Sequence, residues 1–165
     1  MKRTKNLTLT AILTALGIVL GITEAAFLNF NVLPGAKVGI SNIVCLVVLY
    51  LFGYKSALFV NASRAIFVGF MYSGPSSVIY SLPAAIVSVS VMYVIKSSLK
   101  EKVSFVGVSV AGAFFHNLTQ VVVAMVISGS INMIYYFSYL AFVSIMTGVF
   151  TGAIAYIVVK RIKRI

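Results

Sequence analysis

Aspartate is absent from this chain and glutamate occurs only twice, at Glu24 and Glu101. Two carboxylates on different elements cannot form the cluster that holds a divalent ion. Cysteine is reduced to Cys45, inside an apolar run, which excludes a disulfide framework and any Cys/His metal spacing. The one histidine, His116, has no cysteine or carboxylate neighbour to complete a zinc or iron coordination sphere. A Walker-type phosphate loop is also missing, so ATP hydrolysis would have to come from a partner. These absences leave no expected catalytic residue, metal or cofactor.

Charge as a whole is scarce. Of 165 residues 61% are hydrophobic and 9% charged, and the mean hydropathy is +1.11. A soluble domain is about half apolar and a quarter charged, so this composition belongs to the bilayer. The thirteen Lys and Arg give a net charge of +11, which in a soluble chain suggests a nucleic-acid partner. Here they stand in short clusters between apolar runs, where they serve as topology signals and contacts to anionic lipid. No nucleic-acid partner is expected.

A spanning helix needs roughly 20 apolar residues, and Gly, Pro and charge divide the chain into six candidates. They are 7–28, 38–54, 56–72, 77–95, 103–128 and 131–159, within a single membrane domain over 1–165. The apolar stretch after the basic start runs for about 20 residues without a small-residue cleavage site, and reads as a retained first helix. With Lys2, Arg3 and Lys5 inside, six crossings also place Lys55, the Lys96/Lys100/Lys102 group and the final Lys160-Arg161-Lys163-Arg164 cluster inside. An odd count would strand one terminal cluster outside. The expectation is an all-α, six-helix bundle in the cytoplasmic membrane with both termini cytoplasmic.

Ionisable groups within such helices are costly, and they face a bundle interior or a wet cavity. Glu24, Arg64 and His116 are of this kind, and all three would line one outward-opening cavity. His116 and Gln120 share a helical face, as do Asn117 and Gln120. They read either as ligand contacts or as cross-links between helices. Arg64 suits a carboxylate or phosphate, or a pair with Glu24. Lys37 lies in a Pro/Gly segment before the second helix, whose amide-bearing start favours an anion; the alternative is a lysine snorkelling to water. Ala11 and Ala15, Gly17 and Gly21, and Gly148 and Gly152 have the small-residue spacing that lets helices approach closely.

Two motifs, Pro34-Gly35-Ala36-Lys37-Val38-Gly39-Ile40-Ser41-Asn42 and His116-Asn117-Leu118-Thr119-Gln120, resemble the Gx transporter family, also labelled heptaprenyl diphosphate synthase component I. That family is similar to the substrate-binding S components of energy-coupling factor (ECF) transporters. The resemblance implies an S-component-like fold and a subunit that captures a small molecule from outside. It also implies docking on a transmembrane coupling subunit powered by two ATPases, through a first-helix Ala-xxx-Ala element that Ala11 and Ala15 match. Glu24, Lys37, Asn42, Arg64, His116, Asn117 and Gln120 would then bind the ligand. The alternative is a non-catalytic accessory subunit of isoprenoid or quinone metabolism, since a chain without Asp cannot perform prenyl transfer alone. A self-sufficient small transporter or channel is a third reading.

Overall fold

The structure, a computed structural model, describes residues 2–28 and 39–163. Where side chains face lipid the backbone must satisfy its own hydrogen bonds, and every regular element among the described residues is helical. Six α-helices follow one another: α1 Lys2–Leu28, α2 Ile40–Leu51, α3 Tyr54–Val68, α4 Pro75–Leu99, α5 Phe105–Ser128 and α6 Ile134–Ile162. A single π-helical turn, Gly69–Ser73, prolongs α3. Gly74, at φ +89, then reverses the chain, and Pro75 opens α4 at a position where its missing N–H is not needed.

Four of these helices, with spans Leu7–Ala26, Pro75–Leu99, Phe105–Ser128 and Ile131–Ile162, are long and apolar enough to cross a membrane. α2 is not: its 12 residues reach only about 18 Å against a hydrocarbon core of about 30 Å. Tyr54, expected at the end of the second helix, opens α3 instead, because Gly53 at φ +86 breaks the run just before it.

The helices pack in a ring in the order α1, α3, α4, α5, α6, α2 and back to α1. Within it α2 sits deepest, touching α3 and α4 as well as its two ring neighbours. The consecutive run Val44 to Leu49 is buried all round, as expected of a helix enclosed by others. Both ends of α2 are met by side chains from other helices. Lys96 of α4 donates to the Leu49 carbonyl at 2.8 Å and lies 4.4 Å from the centre of the Tyr50 ring. Glu24 of α1 meets the opposite end. An ammonium at the C-terminus and a carboxylate at the N-terminus both complement the helix dipole.

The closest approach is between α5 and α6. A methyl group built on Gly148 would stand 2.5 Å from Val110 Cα, and one on Gly152 would stand 2.7 Å from Val106 Cα. Hydrogen bonds reinforce the seams. Ser109 and Thr151 are 2.7 Å apart across α5 and α6, and Ser88 donates to the Gly112 carbonyl at 2.8 Å across α4 and α5. Asn61 donates to the Ala85 carbonyl at 3.1 Å across α3 and α4. Such bonds hold apolar helices together where the hydrophobic effect gives little help.

Candidate functional site

Helices that alternate in direction bring the end of α1, the start of α2, the end of α3 and the start of α4 to one end of the bundle. The buried stripe of α1, Thr14, Gly17, Gly21 and Glu24, follows helical spacing and carries Glu24 to that end. Its carboxylate accepts the Gly39 amide, the Ser41 amide at 3.3 Å and the Ser41 hydroxyl at 3.0 Å. Gly39 has φ +77, a left-handed conformation open to glycine, and in it the amide points at Glu24. The anion expected at the start of the second helix is thus supplied by the protein itself.

Arg64 reaches the same hydroxyl from α3, its Nη1 donating to Ser41 Oγ. Ser41 in turn donates a hydrogen bond from this hydroxyl to Glu24, so one hydroxyl links the two charges in a chain. Among the described residues no direct Arg64–Glu24 ion pair forms. Gly21 makes room for Val68 beside the arginine: a methyl group built there would lie 2.8 Å from Val68 Cγ2 and in ordinary contact, at 3.5 Å, with Arg64 Cγ.

Around this chain lies a cavity of about 30 Å³, lined by Gly21, Glu24, Ser41, Arg64, Gly69, Ser77, Ser81 and His116 together with Ala65 and Val68. It has room for a few waters or one small polar group. Its walls hold unspent hydrogen-bonding capacity. Arg64 Nε and Ser81 Oγ are buried and have no hydrogen-bond partner among the described residues. The Ser77 hydroxyl is spent on the Gly74 carbonyl at 2.8 Å.

Glu24, Arg64 and His116, which the sequence marks as ionisable groups in apolar helices, therefore meet in one place. Lys37 and the Pro/Gly segment before α2 lie outside the described residues. Asn42 sits in the first turn of α2, its backbone N–H donating to the Gly39 carbonyl at 2.9 Å, and it does not line the cavity. Asn117 points to α6, where its side chain donates to Ser144 Oγ at 2.8 Å and to the Leu140 carbonyl at 3.4 Å. Gln120 is half-buried and also off the cavity wall. Ala11 and Ala15 are exposed on the outer face of α1, beside exposed Ile12, Leu16 and Val19. Ser41, Ser77 and Ser81 escaped the sequence reading. The i, i+4 spacing of Ser77 and Ser81 is a visible signal, but small hydroxyl residues are frequent in membrane helices and most bond their own backbone.

The model of the family described as heptaprenyl diphosphate synthase component I matches residues 13–158, nearly the whole chain. No curated protein and no solved structure matches it.

Proposed function

The chain belongs to the heptaprenyl diphosphate synthase component I family, and for this member we propose a non-enzymatic, membrane-embedded substrate-binding subunit of an ECF-type importer. The observation that carries this reading is the cavity at one end of the bundle, lined by Arg64 and Ser81, whose buried Nε and Oγ have no hydrogen-bond partner among the described residues. Buried polar groups are normally satisfied, and exceptions inside an apolar bundle point to a ligand. In the proposed topology the chain passes through the cytoplasmic membrane six times with the short α2 sheltered among the five helices around it, both termini are cytoplasmic, and the cavity end faces outward, in keeping with the positive clusters. The cavity opens further when the ligand binds, because its volume admits only part of one.

Two outward-facing alanines on α1 support the docking half of the proposal. Ala11 and Ala15 leave a shallow apolar strip, shaped for a second helix of the coupling subunit. The family name favours a second reading, an accessory subunit beside a prenyltransferase, and the scarcity of carboxylates keeps that role non-catalytic too.

Purification of the chain from its native membrane distinguishes them. An ATPase-containing complex should co-purify, and Ala15→Leu should remove that complex while the chain stays folded and keeps the small molecule detected by mass spectrometry. Co-purification of a prenyltransferase without ATPases would replace this reading with the accessory one.

A further inference from the structure

We infer that the group recognised in this cavity is a single carboxylate of the ligand, held by Arg64 Nε and Ser81 Oγ. The inference rests on the reading of the cavity as a ligand site. Arg64 carries a full positive charge, yet among the described residues its hydrogen bond goes to the neutral hydroxyl of Ser41. Glu24 does not neutralise it directly, since that carboxylate is occupied by two amides and the same hydroxyl at the start of α2. The guanidinium is fixed in place at one nitrogen and left with its Nε–H to offer, and it prefers a planar oxyanion.

Ser81 supplies a second, independent observation. It comes from α4, is 8% exposed, lines the same cavity, and its buried Oγ has no partner among the described residues. A hydroxyl left in this state inside an apolar bundle is unfavourable until an acceptor arrives. Both residues line the same small cavity, so together they offer two donors to one acceptor as the walls part to admit it. Charge selects further. The guanidinium and Glu24 sum to zero, so a carboxylate leaves one negative charge in the site and a phosphate dianion two, and the smaller surplus favours the carboxylate. Glu24 and Ser41 are positioning residues, and His116 completes the wall from α5.

The full chain in lipid nanodiscs gives a direct test, because its one cysteine, Cys45, is buried and becomes reactive to a thiol dye only on unfolding. Melts are recorded with acetate, with inorganic phosphate and with chloride at matched ionic strength. Acetate should raise the midpoint of the wild type, and phosphate should raise it less. Arg64→Ala should remove the acetate shift, and Arg64→Lys should restore part of it. Ser81→Ala, which leaves the charge network intact, should raise the acetate concentration needed for half the shift about tenfold. Equal acetate shifts in the wild type and in Ser81→Ala would overturn the assignment. So would a larger shift with phosphate, which would point to a phosphate source such as a lipid head. Co-purification with ATPases alongside a failed acetate test would remove the carboxylate inference alone, and the reverse result would remove only the importer reading.

Discussion

His116 and Asn117 are neighbours in sequence and belong to two different worlds in the fold. Successive residues of an α-helix diverge by about 100°, so one side chain turns to the cavity and the other to α6. On the α6 side the polar groups that cross the seam are paired: Asn117 Nδ2 with Ser144 and Leu140, Ser109 with Thr151. There the two glycines of α6 bring backbones together without a gap. On the cavity side the helices stand apart, and buried donors remain over at Arg64 and Ser81. The same residue types therefore do opposite work: in one seam they complete the packing, and in the other they leave capacity for something else.

The largest way to break this contrast is to spoil the closed seam. Gly148→Ala places a methyl where Val110 Cα already stands, and backbone cannot yield as a side-chain tip does. Overpacking of this kind typically destabilises by about 1–3 kcal/mol, and the Cys45 thiol melt should fall accordingly. An unchanged midpoint would mean that α5 and α6 are not so closely apposed.

A smaller loss is expected at Asn117. Its replacement by Ala removes the bond to Ser144, and hydrogen bonds between membrane helices average about 0.6 kcal/mol and reach about 1.7. The melt should drop by that much while the acetate response stays intact. A lost acetate response would place Asn117 in the ligand site after all.

The smallest effect sharpens the contrast from the open side. Ser81 has no bond to lose among the described residues and its unpaired hydroxyl is unfavourable where it stands, so Ser81→Ala should leave ligand-free stability unchanged or slightly raised. A drop comparable to that of Asn117→Ala would show that the hydroxyl is a structural cross-link.

The parts of the site legible in the sequence are those that lipid makes conspicuous. Glu24, Arg64 and His116 are expensive in hydrocarbon, and their cost alone marks them as inward-facing. The sequence could not separate Asn117 from His116, because both interior directions of α5 are buried and a helical face gives no hint of what lies opposite. Nor could it assign Ser41 and Ser81, whose hydroxyls are cheap enough to stand anywhere in a membrane helix. Alanine pairs and glycine pairs look alike as small-residue spacing. Only packing turned Gly148 and Gly152 inward against α5 and left Ala11 and Ala15 on the outside.

The sequence by itself determined a helical chain suited to the bilayer and the approximate limits of its long helices, since hydropathy and the Gly/Pro breaks act over a turn or two of chain. Tertiary structure decided the rest. It enclosed the 12-residue α2 at the centre, brought Glu24 to its first turn across the Gly39 turn, and joined Arg64 to that carboxylate through Ser41 rather than directly. The partner of a buried polar group is fixed by the helix opposite, and local sequence carries no record of which helix that is.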